Sequence, residues 1–503
     1  MLQSIGLIFL SSVLLIAAFP NFELSFFAWI AFVPILHTIR GSSLVKTFAV
    51  FYITGLLFFG GTLYWLTYVT KLGYFIFIAY LSLYFGLFGV FSRIFFSKFE
   101  RSPFSFLLCL IIPSLWVLTE FLRGTLFTGF PWCFLGHTQY KNPLIIQIAD
   151  VTGAYGVSFL IVAANVVIYS CIESRKLLKS QAIILALLFF TSLAYGAYRL
   201  HEKPTDTGIR LSVVQGSIEQ LKKWDPSYED YILTRYETLT YDAAKDKGDM
   251  IIWPETAIPG FLDDALIQAS LKKVCGGIRS PLFAGALTYT EDTERYYYFN
   301  SAVLFAPDGS VHKKHDKIHL VPFGEYIPFE AHIPFFRGSI NTEIGDCTPG
   351  NEFTIFNIIS KSGDMYKYGA LICFEDIFPD LARGFTGKGA DFLINITNDA
   401  WFGESNEQLQ HAQASVFRAV ENRRSIVRAA NTGFSCYINP NGIIEDSIYD
   451  NNTGGIYAQG FKTFYVLVKK GKTFYTTYGD LVLYICLAFL TGCYFIDFSK
   501  IRI

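Results

Sequence analysis

The chain has 503 residues, of which 52% are hydrophobic and 17% are charged, whereas soluble domains average about 45–50% and about 25%. This composition indicates membrane segments. The formal charge of −1 shows no net basic excess of the kind that indicates nucleic-acid binding. Nine cysteines are too sparse for a disulfide scaffold, and none has the Cys-x-x-Cys spacing of a zinc ribbon or redox pair.

Long apolar runs fill most of the chain before residue 200. A bilayer span needs about 20 mostly apolar residues. The first run lacks the charged n-region and the cleavage site of a signal peptide, which favours an uncleaved anchor. The run at 24–40 is the weakest candidate, because it is short and contains Pro34 and His37. Seven spans are predicted before the large polar region and one after it, near 3–19, 24–40, 48–70, 72–96, 104–122, 152–172, 181–198 and 479–497.

Lysine and arginine in the short loops predict the orientation, because they are enriched on the cytoplasmic side. Alternate loops and the tail carry ten of them: Arg40, Lys46, Arg93, Lys98, Arg101, Arg175, Lys176, Lys179, Lys500 and Arg502. The intervening loops carry three: Lys71, Arg123 and Lys141. Both termini are therefore predicted in the cytoplasm. The region 205–475 is predicted outside, in the periplasm of a bacterium.

From Gly208 the composition becomes that of an α/β domain. Near-continuous apolar strands that alternate with helices predict sheets covered by helices. Strands are predicted at 209–215, 249–253, 282–289, 297–306, 368–373 and 391–397, and helices at 227–246, 263–275 and 407–428. Asn441-Gly442 is a strong two-residue turn signal and predicts a hairpin at 434–446. The predicted domains are 1–204 (transmembrane), 205–475 (α/β) and 476–503 (a final span and tail).

Three segments of the α/β region end on a reactive side chain: Glu255, Lys317 and Cys373. Each has a structural interpretation when taken alone. A strand cysteine is usually a small hydrophobe, an acid after a strand can stabilise a helix N-terminus, and a lysine in a basic loop is usually solvated. Taken together, in this order and with these flanking residues, they favour a catalytic set.

The flanking motifs resemble the nitrilase (carbon–nitrogen hydrolase) superfamily and, more narrowly, its membrane-embedded branch, the apolipoprotein N-acyltransferase family. Two departures are His315, where many members have tyrosine two residues before the lysine, and Phe374, which replaces a frequent tyrosine. The motifs are Gly129-Phe130-Pro131-Trp132, Gln147-Ile148-Ala149-Asp150, Tyr155-Gly156, Val214-Gln215-Gly216, Lys223-Trp224, Trp253-Pro254-Glu255, Leu320-Val321-Pro322-Phe323-Gly324-Glu325, Cys373-Phe374-Glu375 and Asn398-Asp399-Ala400-Trp401-Phe402-Gly403.

The resemblance implies a polytopic helical membrane domain joined to an α-β-β-α sandwich. It implies that Cys373 is the nucleophile, Glu255 the general base and Lys317 the electrostatic partner. Glu325 is implied as a second acid that positions Lys317. The remaining supporting positions are Phe374, whose backbone N–H can donate to an oxyanion, and Glu375, Trp224 and Trp401, which shape the pocket.

The reaction that the resemblance implies is acyl transfer in two steps. Cys373 takes a fatty acyl chain from a phospholipid as a thioester, and the α-amine of a diacylglyceryl-cysteine at a lipoprotein N-terminus then accepts it. Such chemistry suits the residues, because a carboxylate can activate a thiol and a lysine can stabilise the resulting anions. No cofactor, metal or nucleic acid is expected. The protein is expected to be a monomer of the bacterial inner membrane.

Two other functions remain open from sequence. A membrane-anchored amidase or nitrilase-type hydrolase would use the same three residues, and acceptor dependence would separate it from a transferase. A transporter with a large external domain would require polar or charged residues within several spans and paired repeats. The predicted spans are nearly free of charge at mid-membrane, and no repeat is visible. A metal site at His312, His315 and His319 is not favoured, because the neighbouring lysines would repel a cation. Pairing of Cys275 with Cys347 is left open.

Overall fold

The computed structural model describes residues 2–20, 22–175, 178–202, 207–278, 280–292, 295–326, 347–450 and 454–496. These residues form two compact units. The first comprises the described parts of Met1–Glu202, Ser405–Glu421 and Thr473–Ile503. The second comprises the described parts of Lys203–Glu404 and Asn422–Lys472. The chain therefore leaves the second unit at residue 404 and returns to it at residue 422.

The longer helices are apolar before residue 200, α10 to α14 are amphipathic or polar, and α16 is again apolar. They are α1 (Leu2–Ala18), α2 (Val33–Leu36), α3 (Leu44–Thr62), α4 (Lys71–Phe99), α5 (Leu108–Thr125), α6 (Pro143–Ile146), α7 (Ala149–Thr152), α8 (Ala154–Ser174), α9 (Lys179–Leu200), α10 (Gln220–Lys223), α11 (Glu229–Ala244), α12 (Ala265–Ile278), α13 (Pro379–Gly387), α14 (Glu407–Asn422), α15 (Phe474–Tyr478) and α16 (Leu481–Phe495).

Within the described residues, five helices are long and apolar enough to cross a membrane: α3, α4, α5 with its preceding 3-10 turn, α8 and α9. Helices α1 and α16 are apolar but shorter, with 17 and 15 residues. The expected set of apolar helices before the α/β region is thus confirmed. The number of eight spans stays a prediction.

The segment predicted as a span at 24–40 is not one continuous helix in the structure. Residues Ser25–Trp29 form a 3-10 helix, and α2 follows after a break. The Asn165 side chain in α8 accepts a hydrogen bond from the Phe32 N–H at 2.8 Å and donates to the Ala28 carbonyl at 2.9 Å. Because this amide satisfies backbone groups at the break, the interruption is tolerated among apolar helices.

The second unit contains two six-stranded sheets in its described residues, with orders β12-β1-β2-β3-β4-β5 and β11-β10-β9-β8-β7-β6. Neighbours among β1–β3 and among β7–β9 are parallel, so the carboxyl ends of each set meet at one edge of their sheet. The strands are β1 (Gly208–Gln215), β2 (Met250–Ile252), β3 (Leu282–Glu291), β4 (Tyr296–Phe305), β5 (Val311–Asp316), β6 (Phe356–Ile359), β7 (Met365–Ile372), β8 (Phe392–Thr397), β9 (Ser425–Ala430), β10 (Cys436–Ile438), β11 (Ile444–Ser447) and β12 (Gly460–Leu467).

Buried side chains from both sheets meet in one core, where the rings of Phe283 and Tyr368 lie 5.3 Å apart. Helices α11 and α12 cover the outer face of the first sheet. Helix α13 covers part of the second sheet, where a side chain at Gly369 would collide with the Phe385 ring at 2.5 Å. The predicted nitrilase-like α/β domain with two sheets is confirmed.

All six predicted strands and the hairpin are present, but the predicted helix 407–428 is too long. Helix α14 ends at Asn422, and Arg423 has a φ of 51°, which no helix continues. The chain then enters β9. Four strands were not predicted: β5, β6, β9 and β12. The lysines and histidines of β5 and the arginine of β9 hid the alternation that identifies a strand.

Helix α14 belongs to the same unit as the apolar helices, although it is predominantly polar. The Gln410 side chain accepts hydrogen bonds from the indole N–H groups of Trp65 at 3.1 Å and Trp132 at 2.9 Å. It donates to the carbonyls of Thr62 at 3.0 Å and Pro20 at 3.4 Å. A buried amide in this setting stays hydrogen-bonded, so Gln410 ties α14 to three separate segments of the first unit.

Candidate active site

Glu255 lies just beyond the carboxyl end of β2, one residue after Pro254. Proline has no backbone N–H for the sheet, which helps to end the strand at this point. Strand β3 runs so close that a Cβ at Gly285 would lie 2.5 Å from the Glu255 Cα. The Gly285 N–H donates to the Pro254 carbonyl at 3.1 Å. Because glycine has no side chain, β3 can approach the backbone of Pro254 and Glu255 closely and hold it by this hydrogen bond.

Four buried side chains form a hydrogen-bonded group beside this turn. The Lys317 Nζ lies 3.3 Å from the Glu255 Oε1 and 3.0 Å from the Glu325 Oε1. The Asn300 Nδ2, on β4, donates to the same two oxygens at 2.8 Å each. Lys317 follows β5 directly, and its backbone N–H donates to the Asn300 carbonyl at 2.8 Å. The Glu325 Oε2 accepts from the Val321 N–H at 2.8 Å.

Cys373 lies where β7 ends and begins a 3-10 turn. Its φ is 52°, a region that residues with a side chain adopt rarely and mostly where the surroundings enforce it. The Asn395 Nδ2, on β8, donates to the carbonyls of Leu371 at 3.3 Å and Cys373 at 3.1 Å. The half-buried thiol is therefore held in a strained turn at the carboxyl end of a parallel strand.

The charges around Cys373 favour a protonated thiol at rest. Burial and the Glu255 carboxylate raise the pKa of the Cys373 thiol well above its usual range, and the Lys317 ammonium opposes them. Burial would lower the pKa of Lys317, but the carboxylates of Glu325 and Glu255 outweigh it and raise that pKa well above the usual value. The group thus combines a thiol that needs a base, a carboxylate beside it and a permanent cation.

The Glu375 side chain connects the cysteine turn to the lysine loop. Its Oε2 accepts from the Ile372 N–H at 2.7 Å, and its Oε1 accepts from the N–H groups of Ile318 at 2.6 Å and His319 at 3.0 Å. Burial raises the pKa of Glu375 to about 7, against the effect of these donors. Both loops depend on this one carboxyl group for backbone hydrogen bonds.

Comparison with known proteins identifies both parts of the chain. Residues 11–167 match the apolipoprotein N-acyltransferase N-terminal domain, and residues 210–459 match the carbon-nitrogen hydrolase domain. The apolipoprotein N-acyltransferase of Geobacter metallireducens is 38% identical over 95% of this chain and 92% of its own length. The chain belongs to the apolipoprotein N-acyltransferase family. The relative from Chlorobaculum tepidum is 28% identical over 95% of this chain and 93% of its own.

The apolipoprotein N-acyltransferase family is thus the one that the sequence motifs indicated, and the membership places the chain in an enzyme family. Among solved structures, an amidase of the nitrilase superfamily from Nesterenkonia covers 56% of this chain and 98% of its own, at 16% identity and a TM-score of 0.40.

The other predicted site residues of this apolipoprotein N-acyltransferase family member lie in turns and short helical segments between strands and the longer helices. Phe374 is half-buried, and its ring lies 5.1 Å from that of Phe378. Trp224 follows α10 and is half-buried; within the described residues its Nε1 has no hydrogen-bond acceptor. Trp401 is half-buried in the 3-10 helix Asp399–Phe402 after β8. Their roles as pocket residues stay a prediction.

Sequence reasoning missed two residues of the site, Asn300 and Asn395. Both are buried amides within apolar strands. A polar side chain in such a run needs a partner, and that was the available signal. The sequence could not show which partner, because each amide reaches a loop more than twenty residues away.

The histidines considered for a metal site lie on β5 and in the loop after it. The ring of His315 is buried 5.2 Å from that of Phe385, and burial lowers the pKa of this imidazole to about 4. His312 is exposed at the start of β5, and His319 packs on Phe378 with ring centroids 3.8 Å apart. Cys275 and Cys347 are both free thiols.

Proposed function

We propose that this protein is an apolipoprotein N-acyltransferase in which Cys373, Glu255 and Lys317 perform acyl transfer from a phospholipid to the α-amine of a diacylglyceryl-cysteine. The observation that carries the proposal is the buried group formed by Lys317, Glu255, Glu325 and Asn300, whose charges act on the thiol in the strained turn. The apolar helices of the same chain support substrates that reside in a bilayer.

In the first step the Cys373 Sγ attacks the ester carbonyl carbon of the phospholipid. The thiol proton passes to the Glu255 carboxylate, and Lys317 stabilises the negative oxygen of the tetrahedral intermediate, with the Phe374 N–H as a second donor. The carbon–oxygen ester bond breaks, and Glu255 returns the proton to the departing alkoxide. The products are a lysophospholipid and a thioester on Cys373.

In the second step the amine of the lipoprotein cysteine attacks the thioester carbonyl. A carbon–nitrogen bond forms, the carbon–sulfur bond breaks and Glu255 transfers a proton from the amine to the Cys373 sulfur. Glu325 positions Lys317 in both steps through its 3.0 Å contact. An acyl-enzyme that selects an amine over water requires partial exclusion of water, and the pocket residues Glu375, Trp224 and Trp401 serve that purpose.

The proposed setting is the bacterial inner membrane. The termini lie in the cytoplasm and the catalytic domain, 205–475, lies on the periplasmic side, between a membrane domain at 1–204 and a final span within 476–503. The distribution of lysine and arginine supports this orientation. A monomer suffices, because the four side chains of the buried group come from one chain. No cofactor or metal is required.

The competing function is a membrane-anchored amidase or nitrilase-type hydrolase with the same three residues, in which water replaces the amine. A transporter with a large external domain is a remote alternative, and family membership supports an enzyme instead.

The test uses purified full-length protein in phospholipid micelles with a labelled acyl chain, followed by a diacylated lipopeptide. We expect an acyl adduct on Cys373, mapped by peptide mass. The acyl group should transfer to the lipopeptide amine at least as fast as the enzyme turns over. Cys373→Ala should form no adduct. Cys436→Ala removes a buried strand thiol and serves as the matched control, with the adduct retained.

Each other result has a defined meaning. An adduct that discharges to water with and without the lipopeptide would identify a hydrolase. An adduct at another residue would reject the nucleophile, and no adduct with any phospholipid would reject the donor or the catalytic set.

A further inference from the structure

Lys223 is a buried lysine that the proposed mechanism does not use. It ends α10, in the segment that follows β1, and is 7% exposed. The neighbouring Lys222 differs, because its Nζ lies 2.7 Å from the Glu219 Oε1 and both side chains are accessible to solvent. Lysine is almost never buried without a partner for its charge, so the environment of Lys223 requires an explanation.

The Lys223 ammonium is attached to the backbone of the proposed base. Its Nζ donates to the Glu255 carbonyl oxygen at 2.8 Å. Within the described residues, no carboxylate lies at ion-pair distance from this nitrogen, and the Glu255 carbonyl is its hydrogen-bond acceptor. Glu255 is therefore held from two sides, by Lys223 at its main chain and by Lys317 at its side chain.

In the part of the chain that the structure describes, two titratable groups act on Lys223, and both belong to the proposed catalytic set. Burial lowers the pKa of Lys223 to about 7, while a charged Glu255, after β2, and a charged Cys373, after β7, favour the protonated amine. This interaction is reciprocal, because a cation that is stabilised by a thiolate also stabilises that thiolate. A protonated Lys223 therefore makes the Cys373 thiol easier to ionise.

We propose that Lys223 is a positioning residue of the acyl-transfer site, which fixes the Glu255 turn through its carbonyl and supplies a second positive charge that favours the Cys373 thiolate. The assignment of Glu255 and Cys373 as base and nucleophile rests on the proposed function. The electrostatic coupling of Lys223 to Cys373 does not, because it concerns the ionisation of the thiol with any reagent.

The pH dependence follows from the sign of the coupling. Lys223 is mostly protonated below pH 7 and loses its proton as the pH rises through about 7. The stabilisation of the Cys373 thiolate by the Lys223 charge is therefore largest at pH 6 to 6.5 and is lost by pH 9. A purely structural lysine would change the reactivity of Cys373 by the same factor at every pH.

The test measures the rate constant for alkylation of Cys373 by iodoacetamide between pH 6 and 9, with peptide mass separating this residue from the other cysteines. In Lys223→Met we expect a rate about tenfold lower than wild type at pH 6, corresponding to about one pKa unit, and equal to it at pH 9. Lys223→Arg keeps its charge, so it should match wild type at pH 6 and exceed it several-fold above pH 8. Lys222→Met is the control and should follow wild type throughout.

Equal rates in wild type and Lys223→Met at pH 6 would overturn the proposal. So would a constant ratio across the pH range in both variants, which would identify a structural lysine only. If Lys223→Met fails to fold, as judged by its thermal transition, Lys223→Arg tests the proposal by itself. An alkylation rate above pH 8 that does not exceed that of wild type would then overturn the proposal. The expected alkylation profiles without acyl transfer to a lipopeptide would reject the proposed function and would still support the electrostatic coupling of Lys223 to Cys373.

Discussion

At the scale of single residues, the Glu375 carboxyl group connects two segments of the candidate site. Three backbone N–H groups from two loops converge on it, and it is fully buried. The resemblance of Cys373-Phe374-Glu375 to the family motif implied that it is a pocket residue. Its contacts indicate a structural role, because they hold the loop of Lys317 and the turn of Cys373 at a fixed separation.

Replacing Glu375 with glutamine should lower both stability and acylation. The amide has one acceptor oxygen, and its NH₂ group would face at least one of the three backbone donors. An unsatisfied buried donor costs about 1–3 kcal/mol. We expect a lower thermal transition in detergent and slower formation of the Cys373 adduct. Glu352→Gln, at an exposed position, is the control; an equal transition temperature in both variants would contradict this role.

The buried side chain of His315 should make the stability of the fold decrease in acid. Its pKa is lowered to about 4 by burial, against about 6.5 in an unfolded chain. Stability from this residue is present above pH 6.5 and is lost as the pH falls towards 4, by about 2–4 kcal/mol in total. His315→Phe should flatten the fall in transition temperature between pH 6.5 and 4.5. The exposed variant His312→Phe should retain the wild-type slope, and an unchanged slope in His315→Phe would reject the prediction.

At the scale of elements, the strands that carry the site were predictable and the side-chain partners between them were not. Apolar runs identified β2 and β7, and Pro254 and Cys373 marked their ends. Strand β5, which leads to Lys317, was missed because its pattern of histidine and lysine resembles a solvated loop. Its antiparallel pairing with β4 supplies the order that its own composition does not.

Helix α14 shows the same limit in a different form. A helix at 407–428 was predicted, but its polar composition gave no sign of its partners. The structure buries these polar residues, because Gln410 and its neighbours hydrogen-bond to loops between the apolar helices. The periodicity of a sequence predicts which residues share one face of a helix. It does not predict which of the two compact units that face packs against.

Gln410→Ala should therefore destabilise the first unit. It removes the acceptor of two indole N–H groups and the donor to the Thr62 carbonyl. Each buried donor left unpaired costs about 1–3 kcal/mol. We expect a clear drop in the thermal transition of the protein in detergent. Gln268→Ala, exposed on α12, should leave the transition unchanged, and a similar result for Gln410→Ala would show that the two tryptophans find other partners.

At the scale of the whole molecule, the polypeptide crosses between its two compact units more than once. Residues 405–421 are part of the unit that contains the apolar helices, although both flanking segments belong to the α/β unit. The catalytic-domain range 205–475 stays a prediction as a folding unit. Within this range, strand β9 follows α14 directly and lies beside β8.

A fragment that contains only residues 205–475 should consequently fold poorly. It keeps α14 but lacks Trp65, Trp132 and the Thr62 carbonyl, so the Gln410 side chain and its apolar neighbours become exposed. We expect aggregation in detergent-free buffer and loss of selective Cys373 alkylation. The full chain in detergent is the control. A monodisperse fragment with a normal alkylation profile would show that the α/β unit is independent of the helices.

The hydrogen bonds of Asn300 also separate two acids that look alike. Asn300 and Lys317 both bind the Oε1 atoms of Glu255 and Glu325, and the Val321 N–H binds the second oxygen of Glu325. In the described residues, the Glu255 Oε2 receives no such donor. Of these four carboxylate oxygens, this one alone keeps its lone pairs uncommitted. In the proposed mechanism, the thiol proton would therefore move to this oxygen of Glu255. Glu325 could take over as the base only by losing its hydrogen bond to the Val321 N–H, in the loop that follows Lys317.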